Sequence, residues 1–174
     1  KPTAVILASG LDSPLRGLTQ ARGILLFEVA PVGESAGGLR LTLQSSVNAD
    51  NPPVCAAPAQ PTDIALILPT SGSTAYPKLI PLSHANLCAS ARQIGTSLGL
   101  TETDRCLNVM PLFHIHSIAG ALLATIAAGS SIICTPGFDP ETFFAWLATF
   151  QPTWYTAVPT VHQMILTQAT QAAT

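Results

Sequence analysis

LILPTSGSTAYPKLIPLSHANL, Leu66 to Leu87, sets Ser71-Gly72-Ser73-Thr74 and Lys78 between two apolar runs. Ile64 to Leu68 reads as a strand, and the hydroxyl-rich segment Thr70 to Lys78 as the loop at its carboxyl end. Pro81 argues against helix over Leu79–Leu82, which reads as a short extended piece. Ser83 then caps a helix from His84 to about Leu98. A turn explains Ser, Gly and Thr as well as a binding loop does, so composition alone leaves both readings open.

The physical case for binding rests on donors. Successive backbone N–H groups in a glycine-containing turn form a concave anion site. The hydroxyls of Thr70, Ser71, Ser73 and Thr74 add donors, and Lys78 supplies a point charge suited to phosphate. Apart from Lys1, the chain has no other lysine. One look-alike is excluded. Gly72 and Lys78 have the spacing of the first glycine and the lysine of a Walker A loop, GxxxxGK(S/T). Here, however, Pro77 replaces the second glycine and Leu79 follows the lysine. A Walker loop also runs straight into a helix, whereas Leu79-Ile80-Pro81 reads as extended.

Outward from this loop, the rest of the chain reads as follows. Ala4–Ala8 and Gly23–Val29 are apolar strands around a short helix within Asp12–Ala21. Leu39–Leu43 alternates, the mark of a half-exposed strand. Ser45–Thr62 shows no period and reads as a linker or long loop. Beyond the helix at His84, strands are predicted at Cys106–Met110, Ser131–Thr135 and Trp154–Val158. Pro111–Ser117 reads as a turn, and Ile118–Ala128 as an Ala-rich helix stopped by Gly129. Asp139-Pro140-Glu141 starts a helix that runs to about Phe150, and Thr160 to about Ala169 forms the last one. This alternation predicts an α/β fold with a mainly parallel sheet flanked by helices. It divides into an N-terminal strand-containing segment and linker, 1–62, and a core, 63–174. Ligands of such sheets sit beyond the carboxyl ends of strands, where both Thr70–Lys78 and Pro111–Ser117 fall.

Composition narrows the function. Only 9% of residues are charged, against a typical value of roughly 25%. Hydrophobic residues make up 48% and mean hydropathy is +0.42. Either the surface is bland, or apolar faces lie against something else; the second reading predicts self-association of this piece alone. Net charge is −2 with no Lys/Arg cluster, which argues against a nucleic-acid site. No apolar run reaches the roughly 18 residues of a membrane span, and no signal-peptide order opens the chain. Cys55, Cys88, Cys106 and Cys134 form no CxxC pair; three of them sit in apolar surroundings and read as small buried hydrophobes. A reducing cytoplasm is the simplest setting.

Thr70-Ser-Gly-Ser-Thr-Ala-Tyr-Pro-Lys78 resembles the phosphate signature of the adenylate-forming superfamily, usually TSG(S/T)TGxPKG. That superfamily holds acyl-CoA synthetases, adenylation domains of nonribosomal peptide synthetases, and luciferases. The likeness continues in order. Leu82-Ser-His-Ala-Asn-Leu87 resembles xTHxNL, and Asp104-Arg105 with Val109-Met-Pro-Leu-Phe-His114 resembles the D…PLFH segment. Ala128-Gly129 with Phe138-Asp139-Pro140 resembles AG…FDP, and Thr156-Ala-Val-Pro-Thr160 resembles xxVPT. These matches span about Asp63 to Gln168; the first sixty residues match in strand pattern only. The wording of Met110–His116 and Trp154–Gln163 looks most like small-acid acyl-CoA synthetases, including the oxalyl-CoA type.

The resemblance implies part of a ligase that joins AMP to a carboxylate and passes the acyl group to a thiol. It implies ATP, Mg²⁺ and coenzyme A, or a carrier-protein phosphopantetheine, as cofactors. Thr70, Ser71, Gly72, Ser73 and Thr74 would hold the β- and γ-phosphates, with Lys78 adding charge, and His114 would line the acid pocket. His114-Ile-His116 as a metal pair lacks further ligands nearby, so no metal-binding residue is assigned. His84 and His162 read as structural, and Trp154 and Tyr155 as sheet core. Ala75 and Leu79 stand where the family has glycine, and Ala75 disfavours a positive φ. The family's YGxTE segment, ribose-binding Asp and C-terminal catalytic Lys are not found, so the resemblance implies an excised middle piece of the large N-terminal domain, inactive alone. Two other readings are an adenylation or loading domain that delivers to a carrier protein, and a degenerate non-catalytic binding module.

Overall fold

The computed structural model describes residues 2–33, 38–44, 57–70 and 77–172. The chain divides into two compact units, Lys1–Ala57 and Pro58–Thr174.

In the first unit, β1 (Ala4–Ala8), α1 (Leu15–Arg22) and β2 (Leu25–Pro31) make a β–α–β unit, and β3 (Leu39–Leu43) follows. The sheet order is β1-β2-β3, with β1 parallel and β3 antiparallel to β2. Leu7, Ile24, Leu26 and Thr19 are buried. Arg16 of α1 pairs with Glu28 of β2 at 2.5 Å. The half-exposed pattern expected of β3 is not realised. All five of its residues are exposed, Leu39 at 70%, so the alternation is not converted into a buried face.

The second unit begins with β4 (Ile64–Pro69) and β5 (Leu79–Ser83), an antiparallel pair with Leu68 opposite Ile80 and Pro69 opposite Leu79. Pro81 costs little in a two-stranded ribbon, where each strand has a free edge. Then α2 (His84–Leu98) opens on a reciprocal capping box: Asn86 N–H donates to Ser83 Oγ and Ser83 N–H donates to Asn86 Oδ1. It ends at Gly99 with φ 65°, a left-handed cap that glycine adopts freely.

A parallel sheet follows in the order β7-β6-β8, formed by β6 (Arg105–Asn108), β7 (Ser131–Cys134) and β8 (Trp154–Thr156). Between β7 and β8 runs α4 (Pro140–Phe150), capped by Asp139, and after β8 runs α5 (Pro159–Ala172). Central β6 has Cys106, Leu107 and Asn108 at 1% exposure or less. Leu107, Val109, Phe143, Val161 and Ile165 form the core cluster, and Tyr155 meets Phe143 edge-on at 5.3 Å. The fold is α/β, as the alternation implies. The one mainly parallel sheet read from the sequence is resolved, among the described residues, into three small sheets. Burial on both faces belongs to β6.

The helix expected over Ile118–Ala128 takes another form. His116–Leu123 is a π-helix, and only Ala124–Ala127, α3, is α-helical. Apolar periodicity reports a helix but hardly its ring size, and the π form, mostly a single-turn bulge within an α-helix, is frequent at functional sites. The cysteine reading is also corrected. Cys106 is buried, but Cys88 and Cys134 are exposed; an apolar neighbour in sequence is not a neighbour in space. Cys55 lies outside the described residues. Among the described residues, no helix is long and apolar enough to cross a membrane.

Candidate functional site

The two ends of the hydroxyl-rich loop are held together by one carbonyl. Thr70 N–H donates to Lys78 O at 2.8 Å, and Thr70 Oγ1 donates to the same oxygen at 3.3 Å. These bonds extend the β4–β5 ladder past Pro69 and Leu79. Ser71, Gly72, Ser73 and Thr74, with Ala75 and Tyr76, lie outside the described residues. Thr70 and Lys78 are both exposed.

A cavity of about 620 Å³ opens beside this closure. Leu68, Pro69 and Thr70 come from the end of β4, Ile80 and Leu82 from β5, and Val158 from the turn after β8. The remaining wall is Met110 and Phe113–His116, the segment after β6. Asn108 shapes that segment: its side-chain NH₂ donates to Met110 O at 2.9 Å, while its backbone carbonyl accepts from the Thr135 hydroxyl. Thr70 and His114 thus line one cavity. Lys78 is tied to Thr70 through the backbone, but its side chain is not part of the cavity wall.

The two histidines differ. His114 is exposed, its ring 4.3 Å from that of Phe113, with no side-chain hydrogen bond among the described residues. His116 is half-buried, and its Nε2 lies 2.9 Å from Thr156 Oγ1 on β8. Next to it, Ser117 Oγ is fully buried without a partner among the described residues, as is Asn108 Oδ1. Sequence reasoning weighed His116 only as a metal ligand and missed Thr156. Forty positions separate the bonded pair, and no local pattern links them. Among the described residues, no three His, Cys, Asp or Glu side chains cluster to hold a metal.

The shifted titrations lie elsewhere. Hydrogen bonds from Thr101 N–H and from the Thr153 and Thr101 hydroxyls hold the exposed Asp104 carboxyl below its usual range. The Thr142 hydroxyl and Glu141 N–H do the same for Asp139 at the start of α4. Burial pushes the Cys106 thiol up to about 11. These groups are structural: caps, ties and core. His84 is an exposed residue in the first turn of α2. His162 is exposed rather than packed away, though its Nδ1 lies 3.2 Å from Tyr155 Oη. Tyr155 packs on the core, whereas Trp154 lines grooves beside β8 and leaves its buried Nε1 without a partner among the described residues.

Residues 16–174 match the family of AMP-binding enzymes. The chain belongs to that family. The oxalate–CoA ligase of Arabidopsis thaliana is 43% identical over 108 residues, 61% of this chain and 21% of that enzyme. The oxalate–CoA ligase of Saccharomyces cerevisiae is 40% identical over 108 residues, 62% of this chain and 20% of the relative. The chain therefore spans about a fifth of the length of these curated relatives. Among solved structures, the o-succinylbenzoate CoA synthetase of Bacillus subtilis in complex with AMP aligns at TM-score 0.59 and 29% identity, over 63% of this chain and 23% of that one. MatB from Rhodopseudomonas palustris aligns at TM-score 0.70 over 95% of this chain and 31% of its own, at 24% identity. That likeness speaks to the fold, and it extends into the N-terminal unit. Thr70, where the loop begins, stands at the end of β4 on the wall of a largely apolar cavity, and its N–H meets Lys78 O.

Proposed function

We propose that this chain carries the ATP-phosphate loop and part of the acid pocket of an ATP-dependent acid–thiol ligase. The observation that supports it most is the adjacency of two sequence signals. Thr70, the first residue of the phosphate signature, and His114, the last of the PLFH segment, line the same cavity. In the reaction, a carboxylate oxygen attacks the α-phosphorus of ATP and pyrophosphate leaves; the thiol of coenzyme A then takes the acyl group from the acyl-AMP, and AMP and the thiol proton are released. Such chemistry asks the protein for positioning and charge neutralisation rather than covalent work. Thr70 through Thr74 donate to the β- and γ-phosphates, and Lys78 supplies positive charge beside them. Its side chain is exposed, with no ion pair to a carboxylate among the described residues to divert it. Mg²⁺ would supply neutralisation of the phosphate charge; the described residues offer it no ligand cluster. The His114 ring, exposed and without a side-chain hydrogen bond among the described residues, turns toward the acid.

The names of the curated relatives support a carboxylic acid, oxalate among them, as substrate and coenzyme A as acceptor. We place the enzyme in the cytoplasm. Ile6, Leu39, Ile64, Ile67 and Leu79 are each more than half exposed, which supports packing against the remainder of a longer enzyme and self-association of this piece alone.

Acid-dependent exchange of pyrophosphate into ATP by the complete protein tests this. Exchange with a carboxylic acid, followed by thioester formation on coenzyme A, is the expected result. Thioester on a phosphopantetheinyl carrier protein alone would move the assignment to a loading domain. No exchange with any acid would overturn the ligase reading.

A further inference from the structure

We propose that Asn108 and Thr156 are positioning residues for the acid: side by side at the carboxyl ends of β6 and β8, they hold the two ends of Met110–His116 and so set where His114 stands in the cavity. This rests on the ligase reading above.

Asn108 and Thr156 are register partners, the last residues of two adjacent parallel strands. Each reaches into the same segment. The Asn108 NH₂ donates to Met110 O at 2.9 Å, where the segment starts. Thr156 Oγ1 lies 2.9 Å from His116 Nε2, where the segment enters the π-helix. Whichever of that pair donates, the bond joins the segment to β8. The segment thus leaves β6 and is tied back over one pair of neighbouring residues. Between the ties, His114 is bonded through its backbone: its N–H donates to Pro111 O at 3.2 Å, and its carbonyl accepts from Ile118 N–H at 3.0 Å. Its ring lies 4.3 Å from that of Phe113 and has no side-chain hydrogen bond among the described residues. The place of the ring on the cavity wall therefore follows from where the two tied ends put the backbone.

Asn108 argues for function over packing. It is 1% exposed, in the central strand. A backbone carbonyl only accepts, so Met110 O fixes which end of the amide faces the segment. The other end, Oδ1, is then left buried without a partner among the described residues. An unpaired buried acceptor costs stability, and a leucine of similar shape would leave no such atom. The amide is a poor choice for packing alone, and what it adds is the tie to Met110. Ties from rigid strands matter because the reaction asks for placement: a reacting partner misplaced by about 1 Å costs on the order of a hundredfold in rate.

The test uses the complete protein and pyrophosphate exchange, with oxalate, acetate, succinate and benzoate as acids and with acid and ATP varied in turn. Asn108→Leu and Thr156→Val should each lower kcat/KM for the acid about tenfold and change KM for ATP less than about twofold. Thr156→Ser, which keeps the hydroxyl, should restore the acid value. In a His114→Ala background, Thr156→Val should add less than about twofold, since it acts through that ring. If Asn108→Leu does not fold, the Thr156 variants and this double-variant comparison carry the test. Equal losses for acid and ATP, a full tenfold loss in the His114→Ala background, or an unchanged acid value in either folded variant overturns this inference and leaves the ligase reading standing. No exchange with any of the acids overturns both.

Discussion

Thr70 gives both its backbone N–H and its hydroxyl to the carbonyl of Lys78, at 2.8 and 3.3 Å. The first residue of the phosphate signature and its lysine are therefore fixed relative to each other by the β4–β5 ladder, whatever path the chain takes between them. A loop whose ends are clamped loses less entropy when it closes on an anion.

Lys78→Ala tests that arrangement. Removing a charge that acts on phosphate should lower kcat/KM for ATP on the order of tenfold to a hundredfold. The KM of the acid should move much less. Because Lys78 is exposed and unpaired among the described residues, thermal stability should stay within about 0.5 kcal/mol. His114→Ala should reverse the pattern, acting on the acid rather than on ATP. Steady-state exchange kinetics with each substrate varied in turn separate the two; equal effects of Lys78→Ala on ATP and acid would remove it from the phosphate site.

The capping box of α2 gives a stability prediction. Ser83→Ala and Asn86→Ala should each cost about 1 kcal/mol in urea denaturation. The double variant should cost less than the sum, because each side chain serves the other's backbone. Strict additivity would show that the two bonds do not act as one cap.

Much of this arrangement is legible in the sequence, and the failures have physical causes. Ser83 as cap, Pro81 in an extended strand, Asp139-Pro140 as a helix start and Gly129 as a stop are local signals, and each stands where expected. Thr70 and His114 on one cavity wall follow from ordered motifs on two strand ends. The π-helix does not, because the apolar, Ala-rich run Ile118–Ala128 signals a helix without fixing its ring size. The His116–Thr156 bond is invisible for another reason: it depends on β8 lying beside β6, a pairing of strands far apart in the chain. Burial fails similarly at Cys134, which faces solvent although Ile132 and Ile133 precede it.

Asp104 ties the start of β6 to the residue before β8. Its carboxyl accepts Thr101 N–H at 2.8 Å and the Thr153 hydroxyl at 2.8 Å. These bonds favour the ionised form and lower the folded-state pKa below the ordinary carboxylate value. The unfolded chain then binds a proton more readily, so the stabilisation is present above about pH 4 and is lost as pH falls through the folded pKa. Thr153→Val removes one of these donors. Its destabilisation should be larger at pH 6 than at low pH in paired denaturation curves. An equal loss at both would mean that the hydroxyl acts without regard to the charge on Asp104.

Thiol chemistry reads the corrected burial directly. Cys88 and Cys134 are exposed, whereas Cys106 is fully buried in central β6. Burial raises the Cys106 thiol to about 11, since its thiolate would lose its hydration. In native protein at pH 8, an alkylating reagent followed by mass spectrometry should label Cys88 and Cys134 well before Cys106. Denaturant should bring Cys106 to their rate. The same shift has a stability sign. Above the ordinary thiol value the unfolded chain ionises first, so the contribution of a buried neutral thiol is lost as pH rises toward about 11. Cys106→Ala should therefore flatten the alkaline decline while costing stability at neutral pH through the space it leaves. Labelling of Cys106 as fast as Cys88 in native protein would place β6 at the surface and remove the sheet order on which the position of Thr156 depends.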